Sequence, residues 1–306
     1  MFLLNEGGHA TPLIVEFVNH YLGEPVYHFQ IKYTKPIWDK LLGYVGTTPE
    51  AAFGPYSPEN AIPWYTIMFV IACILTVIVI RLFKGKLSED DPTSGQLTLE
   101  ASVLALRGLV VSVIGEHGFK YFPVVATFAV LVLIGNLMGL FPMFMSPTAS
   151  VNVTFALAIT SFVYYNYVGI SENGIANHLK HFMGPKLPGL LAFIITPLIF
   201  GIELISNSIR PFTLGVRLFA NMFADEKISF EIANMASPYT NFLLPVALMP
   251  LAVFVAFVQT LVFTLLSMIY ISEVSHAPHD DHGHHEEVPG QNHSPETGEA
   301  LTTAHV

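Results

Sequence analysis

The stretch FLLPVALMPLAVFVAFVQTLVFTLLSMIYI, residues 242–271, contains no Asp, Glu, Lys or Arg. About 20 consecutive apolar residues are enough to cross a hydrocarbon layer about 30 Å thick. A water-soluble domain has no use for a run this long, because each helix there must show a polar face to solvent. Three further runs are nearly as apolar, two uncharged and one with a single cation, Arg81, near its end: IPWYTIMFVIACILTVIVIRLF, YFPVVATFAVLVLIGNLMGLF and SVNVTFALAITSFVYYNYVGI. Only 12% of the 306 residues are charged, against about 25% in soluble domains. The chain is therefore expected to be a multi-pass, all-α membrane protein.

The runs divide the chain. Residues 1–60 mix aromatics, prolines and charges, and read as an extramembrane segment with an amphipathic helix around PLIVEFVNHYL. Residues 61–272 form the membrane domain. Residues 273–306 are acidic, His-rich and free of Lys and Arg, and read as a disordered tail. Within the membrane domain, LTLEASVLALRGLVVSVIGEHGF is apolar but interrupted by Glu100, Arg107 and Glu116, which suggests an amphipathic helix at or partly in the membrane. The expected architecture is about five membrane helices plus this membrane-associated one. The single cysteine, Cys73, lies in an apolar run and allows no intrachain disulfide.

Arg81, Lys84, Lys86, Arg107, Lys120, Lys180 and Lys186 fall on one side if the spans alternate, whereas the loops PMFMSPTA and ASPYTN carry no cation. Cytoplasmic loops are enriched in Lys and Arg. The N-terminus is thus expected outside and the C-terminal tail in the cytoplasm. Lys32, Lys35 and Lys40 weaken the bias little, because long segments translocate largely regardless of charge.

Residues 187–235 pose a length problem. One helix over that range would be about 70 Å long at 1.5 Å per residue. Either it breaks into a hairpin near RPF, or it lies strongly tilted with a kink at Pro211; the absence of a turn-forming cluster favours the tilted helix. The last helix, over 242–272, is expected to pack against it.

This long segment also holds Glu203, Arg210, Arg217, Asp225, Glu226, Lys227 and Glu231. A charge at the centre of a membrane helix costs about 2.5–3.5 kcal/mol on insertion scales, so such residues face a partner or a water-filled path. Glu203, Arg210 and Arg217 recur every seven residues and share one stripe, with Asn207 and Asn221 four residues after Glu203 and Arg217. Glu226 follows Arg217 by nine residues and falls half a turn round the helix. An ion pair between Glu203 and Arg210 would account for two of the charges structurally. Arg217 has no acid three or four residues away, so its side-chain partner must come from another helix or another chain.

LGVRLFANMFADE, with GNLMGLFP, VNVTFALA, HFMGP and QTLVFTLLSMIYI in that order, resembles subunit a of the F-type ATP synthase over roughly residues 60–272. The resemblance implies a membrane stator beside a rotating ring of c subunits, held by peripheral-stalk b subunits, with two offset aqueous half-channels for protons. It implies that Arg217 faces the ring carboxylates. Asn221, Glu226 and Gln259 match polar positions of the outer half-channel, Glu203 matches an acid nearer the inner exit, and Asn207 joins them through its place on the stripe. Where the family often carries a second titratable group on the last helix, this chain has Ala252. The resemblance also implies a bacterial plasma membrane, protons as the transported ion, and no catalytic chemistry in the chain itself.

Other classes fit less well. Secondary transporters often show two related halves, and no earlier span resembles the arginine-bearing helix. A membrane-embedded enzyme would need a catalytic constellation such as HExxH, which is absent. No basic patch suggests nucleic acid. His279, His282, His284 and His285 with Asp280 and Asp281 match no defined zinc spacing, so neither metal nor cofactor is expected and the tail reads as solvated.

Overall fold

The computed structural model describes residues 2–4, 10–44, 46–54, 57–85, 87–141, 144–181, 190–235 and 240–275. The His-rich stretch from 276 onward, and most of HFMGP, lie outside them.

The N-terminal segment opens with two three-residue strands, β1 (Phe2–Leu4) and β2 (Ala10–Pro12), paired antiparallel. All other regular structure among the described residues is helical. Helix α1 (Leu13–Phe29) continues through a π-helical turn, Gln30–Thr34, into α2 (Lys35–Gly43), and a short α3 (Pro49–Phe53) follows. The segment is moored to the start of the membrane domain. Asn19 donates to the Ile62 carbonyl and accepts from the Ile62 N–H, each at 3.1 Å, and Gln30 donates to the Ala61 carbonyl at 2.8 Å. Gly23 permits the close approach, since a Cβ there would lie 2.1 Å from the Pro58 carbonyl oxygen.

Helix α4 (Trp64–Lys84) starts after Pro63 and ends with Arg81 and Lys84 in its last turn, where cations complement the helix dipole, before Gly85 at positive φ. Helix α5 (Ser94–Ile114) is capped by Thr93, whose hydroxyl accepts from the Gln96 N–H. Then come α6 (Phe122–Met138), α7 (Val151–His181), α8 (Leu190–Met235) and α9 (Thr240–Ser275). Helix α7 is interrupted at Gly174, whose φ of 73° and ψ of 156° are not helical. Such backbone is essentially restricted to glycine.

Five helical stretches among the described residues are long and apolar enough to cross a membrane: Pro58–Lys84, Ser94–Ile114, Glu116–Met138, Val151–Ile175 and Ala247–Ser275. Helix α8 carries seven charges over its length. Helix α5 qualifies by composition, yet its two ends return to the same end of the bundle. Gly95 packs on the backbone of Phe83 at the end of α4, and Ile114 abuts Gly118 in the turn that leads into α6. The α4 residues Ile67 and Met68 cluster with Met138 of α6, so α4 and α6 run antiparallel and those two points share one side. Helix α5 therefore lies across the bundle, as expected of a membrane-associated helix.

Helix α8 spans 46 residues and runs helical through both Pro197 and Pro211, about 69 Å at 1.5 Å per residue. The hairpin alternative is excluded. Helix α9 spans 36 residues, about 54 Å. Neither fits upright in a 30 Å layer. The two pack on each other; α8 also lies against α7, and α9 against α5, α6 and α7. Lipid is as apolar as leucine, so close packing and interhelical hydrogen bonds, rather than water exclusion, hold such helices together.

Candidate functional site

The rotation of α8 is set by Leu214, Leu218 and Met222. They recur every four residues and are buried against Phe128 and Val132 of α6, Val153 and Leu157 of α7, and Phe263 of α9. Gly215 brings α7 close: a Cβ there would touch Ala158 and Phe155 at 3.4 Å. Arg217 precedes Leu218 by one residue, about 100° round the helix, and is exposed. It makes no hydrogen bond or ion pair among the described residues. Large apolar side chains are exposed on the same two helices, among them Phe212 and Val216 of α8 and Phe254, Phe257 and Leu261 of α9. A permanent cation thus stands on an apolar surface with no counter-ion among the described residues.

The other polar groups of the stripe are engaged. One turn after Arg217, the Asn221 amide donates to the Gln259 carbonyl oxygen at 2.6 Å. Gln259 is only 3% exposed, and its own amide nitrogen has no partner among the described residues. Two turns before Arg217, the Arg210 guanidinium forks onto both carboxylate oxygens of Glu273 on α9, one contact at 2.8 Å, and lies over the Tyr270 ring at 5.2 Å. Glu203 stands 3.8 Å from Arg210 without a hydrogen bond from it. The expected Glu203–Arg210 pair is therefore secondary, and Glu273 is the main partner. Asn207 is buried and accepts from the Tyr165 hydroxyl of α7. Arg217 lies between these two polar ties to α9.

Glu226 points elsewhere. Nine residues beyond Arg217, it meets the connection between α6 and α7, where its carboxylate accepts the Ser146 backbone N–H at 2.7 Å. Gly139 lets the connection pack close, since a Cβ there would come within 3.1 Å of the Ser146 Cβ. From Ser146 a buried polar chain leads inward. The Ser146 and Thr148 hydroxyls lie 2.6 Å apart, Thr148 donates to the Asn136 carbonyl oxygen at 2.6 Å, and the Asn136 amide reaches the Thr260 hydroxyl of α9 at 3.4 Å. Ser146 also lies 3.0 Å from the Gly135 carbonyl. Two hydroxyl protons thus serve three contacts, so protons in this cluster have alternative positions. Ala252, Ala256 and Thr260 follow one another at four-residue intervals along α9, and Thr260 donates to the Ala256 carbonyl.

The structure brings Asn221 and Gln259 together and ties Asn207 to α7. It keeps Glu203 and Glu226 apart, on opposite sides of Arg217 along α8. Sequence reasoning missed Ser146, Thr148, Asn136, Thr260, Tyr165 and Glu273 as members of these clusters. The only signal was polarity inside apolar runs, which hydroxyls satisfied by their own helix backbone, such as Thr127 and Thr160, share. No group of three metal-ligating side chains occurs among the described residues.

Residues 65–272 match the family described as ATP synthase A chain. ATP synthase subunit a of Aquifex aeolicus is 37% identical over 218 residues, covering 69% of this chain and 98% of that protein. Subunit a of a Sulfurihydrogenibium species is 38% identical over 216 residues, 70% of this chain and 99% of that one. ATP synthase subunit a 2 of Syntrophotalea carbinolica is 42% identical over 181 residues, 59% and 73% of the two chains. With the family match spanning most of a multi-helix membrane protein, and two of these relatives aligned over nearly their whole length, this chain belongs to the ATP synthase A chain family.

Proposed function

We propose that this chain is the proton-translocating stator subunit of an F-type ATP synthase, and that Arg217 is the fixed cation past which the carboxylates of a c-subunit ring move. One observation carries the reading. Arg217 is exposed on an apolar surface and has no counter-ion among the described residues, while Arg210 and Asn221 on the same stripe are paired. Isolated in lipid this arrangement would be costly; beside a ring that presents one carboxylate after another it is not.

The chemistry follows from the guanidinium. It stays protonated under all ordinary conditions, so it cannot relay a proton, but it can favour the ionised form of a carboxylate brought beside it. A ring carboxylate approaching Arg217 gives up its proton toward the inner side, past Glu203. After passing, it takes a new one from the outer side, by way of Glu226. Glu226 and Arg217 are half a turn and about 13 Å apart along α8, so delivery and release use separate routes and the cation bars a direct leak. The Ser146, Thr148, Asn136 and Thr260 chain stands in for the second titratable group that Ala252 does not provide. A membrane potential contributes about 2.3 kcal/mol per charge per 100 mV, enough to bias the direction of rotation. The N-terminus lies outside, the C-terminal tail in the cytoplasm, and peripheral-stalk b subunits keep the chain from turning with the ring.

The test is Arg217→Ala in the whole complex, in inverted membrane vesicles. ATP-driven proton pumping and ATP synthesis are expected to be lost while the subunit remains assembled with the ring. Coupled pumping at the parent level would refute the reading.

A further inference from the structure

We propose that Arg210 is a positioning residue for Arg217: through Glu273 it locks α8 to the last turn of α9 and so holds Arg217 in place against the moving ring. This rests on the stator reading above, and it assigns a task to two charges which that reading leaves unused.

The last turn of α9 reaches three helices with three consecutive residues. The Ser272 hydroxyl donates to the Val113 carbonyl of α5 at 2.8 Å. Glu273 takes both arms of the Arg210 guanidinium from α8. The Val274 carbonyl accepts from the Asn173 amide of α7, also at 2.8 Å. Three helices converge here within one turn, and Arg210 is the cation among these ties. Its orientation is fixed further by the Tyr270 ring beneath it, which itself packs on Tyr165 at 5.8 Å between centroids. A forked guanidinium–carboxylate contact fixes both distance and angle, which a single hydrogen bond does not.

The position of this tie gives it its role. Arg210 and Arg217 are two turns apart on one stripe of a continuous helix. The Asn221–Gln259 bond lies one turn beyond Arg217. Two ties on either side of Arg217 oppose both sliding and rolling of α8 along α9. Reaction of the ring carboxylates tolerates little misplacement, since an error of about 1 Å in a reacting geometry can cost a hundredfold. Because both arms of the fork belong to Glu273, Glu203 stays at 3.8 Å from the guanidinium and receives no hydrogen bond from Arg210.

The experiment uses the complete ATP synthase in inverted vesicles, with ATP hydrolysis and proton pumping recorded together at matched amounts of this subunit. Arg210→Gln and Glu273→Gln are each expected to keep hydrolysis but to lower the protons pumped per ATP roughly fivefold, the size of a typical coupling between contacting residues. The exchanged pair, Arg210→Glu with Glu273→Arg, restores the tie with its polarity reversed and is expected to recover most of the ratio. Parent-level pumping in both single variants overturns the proposal. So does an exchanged pair as deficient as the singles, which would make the charge at 210, rather than the tie, the essential feature. If a single variant fails to accumulate, Glu273→Asp decides: it keeps the charge and shortens the reach, and an undiminished ratio overturns the proposal. Arg217→Ala, run beside them, separates the two levels: normal pumping there refutes the stator reading itself, whereas its loss with intact Arg210 variants refutes only this inference.

Discussion

Asn221 donates its side-chain amide to the Gln259 carbonyl oxygen at 2.6 Å, and in doing so joins α8 to α9 one turn beyond Arg217. The pair is asymmetric. Asn221 is exposed, whereas Gln259 is buried with an amide nitrogen that finds no acceptor among the described residues. Removing one partner of a buried bond costs more than removing the buried group, because the group left behind stays desolvated and unsatisfied. Asn221→Ala is therefore expected to destabilise the detergent-extracted complex by about 1–3 kcal/mol. Gln259→Leu, which also removes the orphaned nitrogen, should cost less than about 1 kcal/mol on the same basis. Thermal dissociation of the complex, followed by loss of this subunit, ranks the two; the reverse order would mean that Gln259 has another partner.

Glu226 offers a cleaner separation of fold from function. Its structural contact is one accepted hydrogen bond from the Ser146 N–H. Glu226→Gln keeps a carbonyl oxygen in reach of that donor and removes the ionisable group. The variant should assemble normally and lose about a hundredfold in proton flux, toward the lower end of what a positioned proton-transfer group contributes. Dye-quenching in inverted vesicles measures the flux, and immunoblotting the assembly. Flux close to the parent's would move the outer route onto the hydroxyl chain through Ser146 and Thr148 alone.

How much of this could be read from the chain depends on whether the cause was local. Four spans were legible because uncharged apolar runs admit one solution in lipid. The continuity of α8 was not, since Pro211 deprives the Asn207 carbonyl of its helical donor and the sequence allows a hairpin there as readily as a kink. The packing of α7 and α9 along α8 decides between them. Arg217, Asn221 and Gln259 stood out as polar residues within apolar helices. Glu273 did not: it is 63 residues from Arg210, and at the end of the last apolar run it reads as the start of an acidic tail. Ser146 and Thr148 look in sequence like ordinary turn residues. Only the meeting of the α6–α7 connection with Glu226 and α9 gives them more to do.

Gly174 makes a prediction about shape. Its backbone lies in a region that costs a residue with a Cβ about 1–3 kcal/mol. Just before it, Glu172 pairs with Lys120 at 2.5 Å and Asn173 bonds to Val274 at 2.8 Å, so the helix up to the break is held in place. Gly174→Ala must either bear the strain or straighten the helix. In either case the complex should dissociate several degrees lower, with proton pumping retained below that temperature, because no proton-path residue is touched. An unchanged midpoint would show that the break does not depend on glycine.

The sharpest prediction concerns what kind of cation position 217 requires. Lysine and arginine carry the same charge but differ in two respects that bear on this surface. An ammonium group gives up its proton when desolvated, as guanidinium does not, and it is a flexible point charge rather than a planar fork. In the proposed stator, a ring carboxylate passing Arg217 needs a partner that is charged at every encounter and never accepts or gives a proton. Lysine meets neither condition on an apolar surface with no counter-ion among the described residues. Arg217→Lys is therefore expected to assemble, to lose ATP synthesis nearly as fully as Arg217→Ala, and to differ from it in passive conduction. Alanine leaves no cation between the two routes, so vesicles carrying the alanine variant should leak protons faster than those carrying the lysine variant once the catalytic sector is stripped off. Acridine-dye recovery after an imposed pH step compares the two directly. If lysine supports synthesis at the parent rate, charge alone is sufficient at this position, and the permanence of the guanidinium proton is not the reason arginine stands there.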